Sequence, residues 1–198
     1  ARIGRDGAEA DAFGFGERPP LDLPGTAVSH FPDPSEFEKN EPGVAFSAIG
    51  QQNVTATPLQ MALVAAGIAN GGVIMKPRVL ARITDEKGNG VREGKPEQWR
   101  RATSAETAAA VKAMMVDVAA RGTATRAQVS GVTVGAKTGT AQTVGNNAHA
   151  WLIAFAPAEA PTIAVAVIVE SQEGLGDATG GRIAAPIAQR VMAAALGR

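Results

Sequence analysis

Residues 132–144, Val-Thr-Val-Gly-Ala-Lys-Thr-Gly-Thr-Ala-Gln-Thr-Val, hold the residue types and spacing that could do chemistry. Their β-branched alternation favours a strand, whereas two glycines weaken a strand unless another backbone must come close. Strict alternation sets Thr138 and Thr140 on one face and Lys137 and Gly139 on the other. The missing side chain at Gly139 would let an extended, peptide-like substrate lie along the strand and pair with its backbone. Lys137 is long enough to swing around the edge, and an ammonium beside two hydroxyls suits a carboxylate. An outward N–H on such a strand can face a developing oxyanion. A half-buried strand with a surface lysine would carry the same letters.

The elements around this stretch must hold it in place. Thr57 as N-cap, Pro58 at the first helical position and Gln60 three after the cap predict a helix that ends at Asn70-Gly71-Gly72. A strand is expected over residues 73–80. Residues 81–98 read as a polar hairpin without chemistry. A second capping box, Thr103 with Glu106, predicts a helix to Arg121-Gly122, with Met114 and Met115 as core filler. After the central strand, Gly145-Asn146-Asn147 favours a hairpin turn. Residues 149–155 and 162–170 are then strands apolar on both faces. Such strands are covered on both sides, so the expected fold class is α/β (α+β), an antiparallel central sheet with helices on both faces. The last helix, 181–196, has Pro186 in its first turns and Ile187, Val191 and Leu196 as its expected inner face.

Residues 1–46 carry 6 of the 12 prolines and 5 of the 6 phenylalanines. They are expected to form an extended covering loop, pinned to the body by its aromatic rings. The chain, with 198 residues of which 45% are hydrophobic, is long enough for one domain with a sizeable core. Its 19 basic and 19 acidic residues are spread without blocks, which argues against a nucleic-acid partner. With no cysteine, thiol catalysis and thiolate metal sites are excluded. The most apolar run, 161–169, is far shorter than the roughly 20 residues a membrane span needs. Ala1 without an initiator methionine leads us to expect a processed or truncated piece. Thirteen arginines against six lysines, with abundant alanine, suit a high-GC genome.

No cofactor or metal is implied. The glycines between 174 and 181 have the wrong spacing for a dinucleotide loop. Neither His30 nor His149 has ligand spacing for zinc, and both read as ordinary hydrogen-bonded histidines.

Three features agree in order: the capped "TPLQMA" helix followed by "IANGG", the Lys137-Thr138-Gly139-Thr140 strand with two strands after it, and the terminal "GGRIAAPIAQRV" helix. Together they resemble the C-terminal part of a class B penicillin-binding protein transpeptidase domain, in particular its actinobacterial members. The resemblance implies that residues 1–198 are the C-terminal portion of one such domain, with 1–46 as a covering loop within it. It also implies a penicillin-binding protein/serine β-lactamase-like fold, incomplete in this chain. In that family Lys137 would link the strand to a serine of a second motif and favour the substrate carboxylate. Thr138 and Thr140 would offer hydroxyls to the carboxylate of a D-Ala-D-Ala stem peptide or a β-lactam. The Thr140 N–H would be an oxyanion donor, Gly139 would form the substrate-facing edge, and Gln142 would lie further along it. The implied chemistry is two-step acyl transfer through an acyl-enzyme, at the outer face of a bacterial membrane. Stem peptides, β-lactams, an upstream segment of the same protein and other cell-wall synthesis proteins are the implied partners.

The departure is equally plain. None of Ser29, Ser35, Ser47, Ser104, Ser130 and Ser171 has lysine three residues later or asparagine two residues later. The family's S-x-x-K and S-x-N motifs are therefore absent here, and the chain alone is expected to be inert, its nucleophile lying upstream and its membrane anchor in a segment not in this chain. A non-catalytic scaffold or sensor, or a serine β-lactamase or D,D-carboxypeptidase of the same superfamily, is the alternative.

Overall fold

The computed structural model describes residues 2–37, 40–143, 148–171 and 179–198, with backbone alone at 2–6, 34 and 41. Helix α1 (Arg2–Ala12) opens the chain, and α2 (Glu41–Ala48) follows a loop. The expectation of an extended loop over residues 1–46 fails at both places. Its reason lies in the distribution of proline: the first proline is Pro19, so residues 2–12 contain no proline, and Pro42 sits in the first turn of α2, where its missing N–H costs nothing.

Between these helices the chain is irregular and tied down by polar contacts. The Gln60 side chain donates to the carbonyl of Phe13 at 2.7 Å. Arg100 donates to Asp11 O at 2.7 Å, pairs with Glu17 and lies 4.0 Å over the Trp99 ring. Asp22 accepts from the N–H groups of Val79 and Leu80 at 2.7 and 2.9 Å. Phe37 is buried and Phe13 packs on two core clusters, whereas Phe46 is exposed.

Helix α3 (Pro58–Ala69) begins as expected, with Thr57 Oγ1 accepting from Gln60 N at 3.1 Å, and ends at Asn70. Its capping box is only half formed. Gln60 turns inward to Phe13, and the Thr57 N–H goes to Ser29 Oγ at 3.0 Å instead. Strand β1 (Val73–Met75) is shorter than the strand expected to residue 80, because Pro77 lacks the N–H a ladder needs. The polar excursion is the exposed hairpin β2 (Arg82–Thr84) and β3 (Gly90–Glu93). Strand β4 (Gln98–Arg101) pairs with β1. Helix α4 (Ala105–Arg121) starts one residue later than expected: Ser104 caps the Thr107 N–H at 3.0 Å. Met115 is buried but Met114 is 59% exposed, so only one of the two fills the core.

The body is the antiparallel sheet β5 (Gly135–Gln142), β6 (Ala148–Ala156) and β7 (Ile163–Val169), in sequence order. Register places Ala136, Ala154 and Val165 side by side, and Gly135, Phe155 and Ala164 beside them on the opposite face. The first row joins a core with Ala184, Ala185, Ala188 and Met192. The second meets Ile68 of α3 and Met115 of α4 through Phe155, which is fully buried. Burying such a ring is worth roughly 1.5–3 kcal/mol. Helices therefore cover both faces of an antiparallel sheet, as the doubly apolar strands required.

The last helix, α5 (Ala185–Ala195), follows a π-helical turn over Gly180–Ala184. Its inner face is Ala185, Ala188 and Met192, while Ile187 and Val191, expected inside, are 42% and 44% exposed. Alanines let the helix lie close to the sheet, and that closeness turns the larger side chains outward. The turn expected at Gly145-Asn146-Asn147 lies outside the described residues, as do positions 174–178 of the glycine-rich stretch.

Candidate active site

Among the described residues strand β5 is paired on one side only, with β6. Along its other edge Lys137 Nζ donates to Thr138 O at 2.7 Å, and Gln51 Nε2 donates to Thr140 O at 3.1 Å. Both carbonyls therefore point away from β6. In an extended strand a residue's N–H and C=O leave on the same side, so the Thr140 N–H faces the same open edge. Gln51 reaches this edge from a tight bend in which Gly50 and Gln52 both have positive φ, 78° and 62°.

Side-chain alternation divides the surroundings of β5 into two clefts. On the side of Lys137 and Gly139 is an apolar cleft of about 360 Å³, walled by Trp151 and Ile153 of β6 and by Phe15, Phe31, Ile49 and Met61, and bordered also by Thr138 and Thr140. The proline-rich stretch thus supplies Phe15 and Phe31 to one wall. Ser47 also lines this cleft, and its buried hydroxyl has no hydrogen-bond partner among the described residues. On the other side, Thr138 and Thr140 open into a second cleft of about 500 Å³ with Thr123, Thr179, Arg126 and Arg182. There the hydroxyls of Thr123 and Thr138 are 2.6 Å apart.

Glycines shape both clefts. A Cβ on Gly139 would meet only Trp151 Cβ, at 3.2 Å. A Cβ on Gly180 would fall 2.0 Å from Trp151 O and 2.7 Å from Gly139 O, and one on Gly181 would fall 2.1 Å from Thr123 O. Gly180 is therefore required for the turn before α5 to lie directly on β5 and β6, and Gly181 for it to lie against Thr123. Gly135, the other glycine of the strand, is explained by packing: its Cβ would strike the Phe155 ring at 2.3 Å.

The alternation read from sequence is thus present: Lys137 and Gly139 share one face, and Thr138 and Thr140 share the other. Lys137 does swing around the edge, but onto a carbonyl, and no carboxylate among the described residues pairs with it. Gln142 closes β5 opposite Ala148, exposed and lining neither cleft. Gln51, Thr123, Arg126 and Trp151 escaped the sequence reading, because only tertiary packing brings them to the strand.

His149 accepts the Ser171 N–H at Nδ1 at 3.0 Å, and His30 bridges to Thr55 and lies 3.6 Å from Glu36. Carboxylates held below the ordinary range, such as Asp22 by the Val79 N–H and Asp85 by the Asn89 side chain, line neither cleft. Among the described residues no cluster of three His, Asp or Glu side chains is placed to hold a metal.

Comparison with known proteins gives the following relations. Residues 8–193 match the family model of the penicillin binding protein transpeptidase domain. The peptidoglycan D,D-transpeptidase PbpA of Mycolicibacterium smegmatis is 40% identical over 193 residues, which make up 96% of this chain and 38% of that protein. Stage V sporulation protein D of Bacillus subtilis is 32% identical over 188 residues, 91% of this chain and 28% of that protein. Among solved structures, penicillin-binding protein A of M. tuberculosis, as a ceftriaxone acyl-enzyme complex, superposes with a TM-score of 0.85 at 37% identity, covering 96% of this chain and 42% of that one. The chain therefore spans less than half the length of these relatives.

Proposed function

This chain belongs to the penicillin-binding protein transpeptidase family, and on that premise we propose that it is the C-terminal portion of a peptidoglycan D,D-transpeptidase domain. Its part is the wall of the active site against which the donor stem peptide is laid. The nucleophilic serine, the lysine that activates it and the serine of the second motif come from polypeptide outside this chain.

The chemistry is acyl transfer in two steps. The serine oxygen attacks the carbonyl between the two terminal D-alanines, and the charge that develops on the carbonyl oxygen is met by the outward N–H of Thr140. Such a donor is worth roughly 10²–10³ in rate. The terminal D-alanine leaves with a proton, and an amine of a second stem peptide then takes the acyl group from the serine. Gly139 leaves the edge open for the donor peptide, and Thr138 and Thr140 offer hydroxyls to its terminal carboxylate. Lys137, on the apolar-cleft side, orients the second-motif serine. Gln142 extends the edge beyond Thr140. A β-lactam would occupy the same place with its own carboxylate. This work belongs at the extracytoplasmic face of the cell membrane; among the described residues no helix is long and apolar enough to cross it.

The observation that carries this reading is the unpaired edge of β5, whose Thr138 and Thr140 carbonyls turn outward between two clefts. Labelled penicillin tests it. Residues 1–198 alone are expected to take no covalent label, and the same residues joined to the preceding part of the protein are expected to label on that preceding part. Label mapped to residues 1–198 would overturn the assignment.

A further inference from the structure

The threonine cleft contains a charge that the scheme above leaves idle. Arg126 stands in the short 3-10 turn Thr125–Ala127 after α4, and its Nη1 reaches the carbonyl of Arg182 at 3.4 Å. The guanidinium thus spans from the segment before β5 to the turn before α5, across the cleft that the hydroxyls of Thr123, Thr138, Thr140 and Thr179 also line. Arg182 lines it as well. No carboxylate among the described residues pairs with either arginine. A guanidinium keeps its charge at every working pH and offers several donors in a plane that matches a carboxylate.

Lys137 is already engaged: its side chain leaves the other face of β5 and its ammonium donates to Thr138 O at 2.7 Å. Arg126 and Arg182 line the cleft that holds the hydroxyls of Thr123, Thr138, Thr140 and Thr179, and Lys137 does not line that cleft.

We propose that Arg126 supplies the positive charge that selects a carboxylate-ended ligand at the threonine cleft, making it a specificity-determining residue of this site. Gly181 lets the turn carrying the Arg182 carbonyl, the anchor of Arg126, lie against Thr123, since any side chain there would collide with Thr123 O. Arg126 and the four hydroxyls line one cleft and together would cradle two carboxylate oxygens. The inference rests on the transpeptidase reading only for the identity of the ligand, a peptide ending in D-alanine.

The test uses N-acetyl-D-Ala-D-Ala and its C-terminal amide as probes, titrated into the full-length protein, wild type and Arg126→Ala, by calorimetry at low salt. The acid is expected to bind roughly tenfold more tightly than the amide to the wild type, the preference expected of a charge-assisted pair. Arg126→Ala should remove most of that preference while leaving amide affinity within about twofold, and Arg126→Lys should retain part of it. Equal loss for acid and amide, an undiminished preference in Arg126→Ala, or no preference in the wild type would each overturn the proposal. Penicillin labelling of the wild type reads the other premise separately. Absence of label together with an Arg126-dependent preference would sink the transpeptidase reading and leave the carboxylate site standing.

Discussion

Replacing Gly139 by alanine separates the fold from the function. The backbone there is extended and accepts a Cβ, whose nearest neighbour would be Trp151 Cβ at 3.2 Å. That contact is a few tenths of an ångström too close and costs little, while the loss of unfolded-state freedom returns about 0.4–1 kcal/mol. Net stability should stay within about 1 kcal/mol of wild type, a melting shift of no more than roughly 4 °C for a chain of this size. Binding is affected quite differently. The methyl projects into the apolar cleft between Lys137 and the path of an extended peptide along β5, displacing the peptide from its ladder. Two backbone hydrogen bonds weakened at about 0.5–1.5 kcal/mol each amount to roughly 1–3 kcal/mol, or about a 5- to 150-fold loss. The assay is the second-order rate of acylation by fluorescent penicillin in the full-length protein, with thermal unfolding measured in parallel. An unchanged acylation rate in a folded Gly139→Ala protein would refute the argument that this glycine keeps the edge open.

Other substitutions test the packing. Gly180→Ala should do the reverse of Gly139→Ala and destabilise by about 1–3 kcal/mol, lowering the melting temperature by roughly 2–12 °C, because its Cβ would sit 2.0 Å from Trp151 O. Ser104→Ala removes the cap of α4 and should cost about 1 kcal/mol in denaturant unfolding with an unchanged m-value. Asp22 is held below the ordinary aspartate range, chiefly by the Val79 N–H and then by that of Leu80. Its anchoring is therefore complete above the unfolded value of about 3.9 and is lost as pH falls through the lower folded value. Hydrogen exchange at the Val79 and Leu80 amides, corrected for intrinsic rates, should accelerate through that acid window in wild type and already be fast at pH 7 in Asp22→Asn.

What the sequence disclosed depended on how local the cause was. Thr57 and Pro58 start α3 where they should, because a cap is decided by neighbouring residues in the chain. Apolar periodicity likewise revealed the three strands of the main sheet and the need for helices on both faces. Failures came where an average hid a position or where packing reversed a preference. Proline content over residues 1–46 concealed the proline-free helix Arg2–Ala12. Hydrophobicity alone placed Ile187 and Val191 inside, but the sheet takes the face of α5 that carries Ala185, Ala188 and Met192. For the site, Lys137, Thr138, Gly139 and Thr140 were legible because they are consecutive. Gln51 and Arg126 were not, since their relation to β5 exists only after the chain has folded back on itself.

The division of β5 into a lysine side and a threonine side follows from the two-residue period of a strand, and it constrains how such a site can work. Consecutive residues cannot all serve one group on the same face, so Lys-Thr-Gly-Thr must serve two. One face, with Lys137, borders the apolar cleft. The other presents the threonine hydroxyls beside Arg126 and Arg182. Under the proposed function the first would act on the second-motif serine and the second on the substrate's carboxylate, while the outward Thr140 N–H between them would meet the reacting carbonyl. A Lys137→Arg substitution should therefore impair acylation while sparing the preference for acid over amide, whereas Arg126→Ala should do the opposite at the binding step. If both substitutions instead lowered the same quantity by the same factor, the two faces would not be working independently.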